Sequence, residues 1–201
     1  KASYRPLVEF AKQHELPIVA ANAPADLVRC IGRQGESYMP KLNSQQRKQL
    51  ADDIFMNNDA YQVAFQKVMH SPSTPSIKTT KQKPAMSNSY LAQLSRDNTM
   101  AESIIEAMKQ YPKYQLIHVN GAFHSDNALG TVVLLKQRKP DLRVAVISPV
   151  RLDSEEQIKI PYTKGDYVYL LKPQPQQYAN EAEQKAAFKS MFSKARSKVC
   201  Q

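Results

Sequence analysis

Gln115-Leu116-Ile117-His118-Val119-Asn120 is a short apolar run, and Gly121-Ala122-Phe123-His124 leads out of it. A helical pattern from Asn127 to Arg138 follows, and then a second apolar run from Leu142 to Ser148. Strand, helix, strand with so short a crossover predicts a βαβ unit whose strands are parallel neighbours with a right-handed connection. A further strand is expected over Asp166–Leu171, with Tyr167 and Tyr169 on one face. Upstream, Pro17–Asn22 reads as a buried strand between a helix over Ser3–Glu15 and a short helix over Ala25–Gln34. The fold class is therefore α/β, a largely parallel sheet flanked by helices.

Two segments interrupt that alternation. Ser44–Phe55 and Asp59–His70 are helical in pattern and separated by turn-prone Asn57 and Asn58, which makes residues 44–70 a helical insertion. Residues 71–85 carry Pro72, Pro75 and Pro84 among Ser, Thr and Lys, the composition of a mobile linker loop. The pattern from Ser87 to Gln110 predicts the longest helix, and Asn180–Lys198 a terminal one. The 201 residues suit a single domain.

Composition excludes several functions. Hydrophobic residues are 42% of the chain, too many for disorder, and no run approaches the roughly 20 apolar residues of a membrane span. Two cysteines, Cys30 and Cys200, exclude a thiolate cluster and leave one disulfide open; Cys30, on an apolar helix face, reads most simply as a buried free thiol. No Cys-x-x-Cys-His is present, so any haem is held without thioether bonds. Net charge is +10, but Lys and Arg exceed Asp and Glu by five in each half, and no aromatic residues interleave with a basic stripe. A nucleic-acid partner is not expected.

Chemistry is expected where the first strand of the βαβ unit ends, because open α/β sheets bind ligands at strand carboxyl ends. There Gly121 allows a tight turn, His124 offers a nitrogen ligand, and residues 125–127 begin a helix whose N–H groups favour an anion. Arg96-Asp97-Asn98-Thr99-Met100 places a polar turn inside the long helix whose Arg, Asp and Met could face a site, with Arg96 available to a carboxylate or phosphate and Met100 as a soft lining group. Taken alone, that turn reads as a solvated one with local ion pairing. Tyr38, in the loop after the short helix, is a candidate phenolate ligand at the sheet edge; Tyr90 belongs to the core.

Four blocks together resemble the ChaN-like family of haem-binding, iron-regulated lipoproteins, in a superfamily with the Tiki proteases and erythromycin esterases. They are Leu16–Pro24, Arg96-Asp97 with Met100-Ala101, Gly121–His124 with Gly130, and Asp166-Tyr167-Val168, in that family's order. Family members typically begin with a strand ending in Gly-Glu-x-His, which has no counterpart here, so the domain is expected to be incomplete and to lack its N-terminal strands. The family's Arg after the Asn-x-Pro turn is replaced by Ala25.

The resemblance implies a non-covalent haem-binding protein for bacterial iron uptake, more a binder than an enzyme. Haem would lie at the sheet's carboxyl edge or in a homodimer interface, with His124, Tyr38, Asn22, Arg96, Met100 and Gly121 as the binding residues. It also implies a periplasm-facing location and attachment to a membrane through an N-terminal lipid anchor that this sequence does not show. The alternative is a metal-dependent hydrolase of the Tiki or erythromycin esterase type, with His124 as a ligand to a divalent ion.

Overall fold

A computed structural model describes residues 4–69, 86–152, 160–173, 177–196 and 199–200. The 71–85 segment lies outside the described residues. Helix α1 spans Arg5–Gln13, α2 Ala25–Gln34, α3 Ser44–Arg47 and α4 Asp59–Met69. They are followed by α5 over Asn88–Gln110, α6 over Thr131–Arg138, strands β1 at Ile147–Arg151 and β2 at Tyr167–Leu171, and α7 over Glu181–Arg196. β1 and β2 pair in parallel, Ile147 opposite Tyr167 through Arg151 opposite Leu171, in a small sheet within a mainly helical chain. The expected α/β class is what the chain adopts.

Helix α5 organises the interior. Its 23 residues are capped by the preceding Ser87, whose hydroxyl accepts from Tyr90 N and so satisfies one of the otherwise free N–H groups of the first turn. Leu91 packs with Leu27, Val28 and Ile31 of α2 and with Leu50 and Ile54, while Tyr90, Leu94 and Ile104 pack with Tyr61 and Phe65 of α4 and Leu134 and Leu135 of α6. These neighbours cover residues 97–101 of α5. Asp97, Asn98 and Thr99 are all buried, so the expectation of a solvated turn is overturned. Each has a partner inside: Asn98 Nδ2 lies within 3.0 Å of the carbonyls of Ile54, Met56 and Leu94, and Thr99 Oγ1 donates to Ser95 O and accepts from Ala51 N. A buried polar group without such partners would cost about 1–3 kcal/mol.

Several expected elements take other forms. Residues 48–55 are turns and not a continuation of α3; Arg47 closes them by donating to the carbonyls of Leu50, Ala51 and Asp52. The helix expected from Asn127 begins only at Thr131, because Asn127 and Ala128 have φ of 58° and 55°, outside the helical region. Two 3₁₀ turns, Ala122–His124 and Asp126–Ala128, occupy that stretch. Cys30 is bonded to Cys200, which corrects the free-thiol reading.

The βαβ expectation also changes. Residues 17–22 and 115–120 carry no helix or ladder among the described residues, and Ile117 is 89% exposed. β1 takes its ladder from β2 on the other side, and begins at Ile147, later than the apolar run at Leu142 suggests. A strand needs a second backbone to receive its N–H and C=O groups, which side-chain pattern alone does not provide.

Candidate functional site

The sheet anchors the loop that carries His124. Ser148, buried at the start of β1, has its hydroxyl 2.8 Å from Asp126 Oδ1 and 3.0 Å from Lys164 O, and Lys164 Nζ lies 3.3 Å from Asp126 Oδ2. At the loop's far end Gly130 precedes α6 with φ +57° and ψ −127°, a conformation essentially reserved to glycine. A Cβ there would lie 2.6 Å from the carbonyl oxygen of His124. Gly130 thus sets the path of His124's backbone. Gly121 does not do so: its φ of −74° suits any residue, which corrects the tight-turn expectation.

The His124 ring meets α5 at Asp97. Nδ1 lies 2.7 Å from Asp97 Oδ1, and the carboxylate is 0% exposed. Oδ1 also accepts from the Thr131 hydroxyl at 2.7 Å, and Oδ2 accepts from the Tyr61 hydroxyl at 2.6 Å and from Gln93 Nε2 at 3.2 Å. Four donors therefore converge on two oxygens that can only accept. Nδ1 must carry the ring's hydrogen, and the neutral ring then presents a bare Nε2, which makes no hydrogen bond among the described residues. Gln93 Nε2 also approaches Nδ1 to 3.2 Å, but its two hydrogens serve Tyr61 and Asp97 and none remains.

Electrostatics support the arrangement. Burial, then the Asp97 charge and hydrogen bond, push the Tyr61 phenol far above its usual range, so it stays a donor. His118, on the segment before the loop, is pulled below the ordinary imidazole value by burial and by His124, with Asp97 opposing. Its Nε2 is buried without a partner. Phe123 completes the setting, its ring centroid 5.7 Å from Tyr61 and 6.1 Å from Phe65.

Two grooves lie near the site; His124 lines neither, but Gln93 lines one and Phe123 the other. One of about 460 Å³ lies between α2 and α5 and is lined by Ala25, Arg29, Ala92, Gln93 and Arg96. Arg96, its guanidinium pulled below the ordinary value by burial, reaches Asn22 Oδ1 at 3.4 Å. The other, about 750 Å³, lies between α4 and the loop and is lined by Val63, Val68, Phe123 and Leu129, with Lys67, Asp59, Asp126 and Asn127.

The expected site residues separate into two sets. His124, Arg96, Asn22 and Gly121 lie around the α5 surface and the loop. Tyr38 and Met100 are each 2% exposed; Tyr38 packs among the core residues of α2, and iron ligation by it would require the ring to leave that core. Thr131, Tyr61, Gln93 and His118 carry no signal in the sequence, whereas Asp97 stands in the polar turn of an otherwise apolar helix and in the family-like block Arg96-Asp97. Among the described residues no group of three or more His, Cys, Asp or Glu side chains is arranged to hold a metal ion.

The family of haem-binding uptake proteins in the Tiki superfamily, ChaN, matches residues 1–135, well over half of the chain, and this protein belongs to it. No curated protein and no solved structure matches the chain. The donor set fits the family's ligand: an imidazole with a free Nε2 and a carboxylate on its other nitrogen is the arrangement that metal-bound histidines take.

Proposed function

We propose that the protein binds haem without covalent attachment, with His124 Nε2 as the iron ligand, in the service of haem and iron uptake. The observation that carries this reading is the 2.7 Å contact between His124 Nδ1 and buried Asp97, which leaves Nε2 free. The groove lined by Phe123 offers apolar walls for a porphyrin, and Arg96 and Arg29 in the groove between α2 and α5 offer cations for its propionates. Bound haem would supply an iron centre open to ligand exchange. The residues of this chain would orient it, exclude water from its face and neutralise its carboxylates.

The same reading places the protein on the periplasmic side of a bacterial membrane, attached by a lipid. The Cys30–Cys200 disulfide supports an oxidising compartment, since such bonds are rare in the cytosol. A homodimer sharing the haem fits it too, and the exposed Ile18, Val19, Leu116 and Ile117 offer apolar area for a second copy to bury.

Titration of the full-length protein with ferric haem, followed by visible absorption, tests the reading. The expected result is saturable binding with a histidine-type ferric spectrum that His124→Ala loses and Arg96→Ala weakens. A folded His124→Ala protein with the parent's spectrum and affinity would overturn the assignment of the ligand. Absence of saturable binding by the parent would overturn the function.

A further inference from the structure

The Asp97 carboxylate is more elaborately held than a packing contact requires. It has no exposure, and its donors come from three elements: Tyr61 from α4, Gln93 from its own helix α5, and Thr131 from α6, with His124 added from the loop. Burying a carboxylate costs several kcal/mol unless hydrogen bonds compensate, and none of these four groups is a cation by necessity. The arrangement sets a carboxylate that accepts four hydrogen bonds against the Nδ1 edge of the imidazole.

We propose that Asp97 is a positioning residue that fixes His124 in the Nδ1–H form and sets how strongly Nε2 donates to a ferric centre, with Thr131 as the group that tempers it. The inference rests on the haem reading for its second half only. A carboxylate drawing on the Nδ1 hydrogen leaves the ring richer in electron density, which favours the ferric over the ferrous ion. Thr131 Oγ1 donates at 2.7 Å to the same Oδ1 that faces His124. Each hydrogen bond given to that oxygen disperses its charge and weakens its pull on the ring. Asp97 and Thr131 thus act on His124 in opposite directions, which a residue serving packing alone would not do.

The first measurement is two-bond nitrogen–proton NMR of the haem-free full-length protein, which reads the tautomer directly. Wild type is expected to show His124 with the hydrogen on Nδ1, and Asp97→Asn a mixture of tautomers. The second is the midpoint potential of the haem-loaded protein. Asp97→Asn should move it positive and weaken ferric haem about 10- to 100-fold, the usual cost of losing a ligand's hydrogen-bond partner. Thr131→Val, which keeps the side chain's shape, should move the potential negative. Shifts of the same sign, or none, would overturn the inference, as would an unchanged tautomer in Asp97→Asn. If Asp97→Asn fails to fold, Thr131→Val decides: a negative shift supports the inference, and a zero or positive shift sinks it. If wild type takes up no haem, the haem reading fails by itself and the tautomer still judges Asp97.

Discussion

A methyl group added at position 130 separates the two glycines of the loop. Gly130→Ala must place a Cβ in a backbone conformation with φ +57° and against the His124 carbonyl, and should cost about 1–3 kcal/mol of stability. Gly121→Ala meets only His124 Cδ2 at 3.8 Å and should fall within about 0.5 kcal/mol of the parent. Chemical denaturation of both variants checks the contrast, and equal losses would refute it. His118 gives a pH signature at the same scale. Its folded imidazole sits below the ordinary value of about 6.5, so as pH falls the unfolded chain takes the proton first. That contribution to stability is intact above about pH 6.5 and drains below it. In haem-free protein, His118→Gln should flatten the loss of stability just below pH ~6.5; an unchanged slope in denaturant titrations would show that the ring titrates normally.

At the scale of elements, α5 depends on its start as well as on its buried middle. Ser87→Ala removes the acceptor for Tyr90 N and should cost about 1 kcal/mol, read as a lowered midpoint of thermal unfolding. Helices were the legible part of this fold: Ala25–Gln34 falls where Pro24 and Gly35 bound it, and α5 ends at Gln110, with Tyr111 as its cap just before Pro112. Apolar spacing and stop signals are local, so sequence carries them. Ladders are not local. The apolar runs at 17–22 and 115–120 look like strands, yet pairing depends on which backbone lies alongside, and neither obtains a ladder. The site divides in the same way. His124 could be found because a strand-like apolar run, a glycine and an imidazole adjoin in sequence, whereas its partners Tyr61, Asp97 and Thr131 are separated by 36 and 34 residues and meet only through packing. The turn 96–100 looked solvated because its polarity is visible in the sequence and its burial is not.

At the scale of the whole molecule, the bond between Cys30 and Cys200 spans 170 residues. In the chain-entropy view, closing so long a loop destabilises the unfolded state by about 5 kcal/mol, and observed values commonly run about 2–4 kcal/mol. Cys200→Ser should therefore lower the unfolding midpoint clearly, and reduction of the parent should lower it by a similar amount. If the reduced parent and Cys200→Ser unfold where the oxidised parent does, the bond adds nothing. The same bond makes residues 30–200 a closed covalent ring. A protease that cuts the chain once anywhere between those cysteines opens the ring but frees no piece. Gel electrophoresis without reductant would show one band near the parent's mass, and with reductant two, whose sizes report the position of the cut. Whatever length of backbone is nicked in this interval, the helices on either side of the break remain in one molecule, at a high effective concentration of each other.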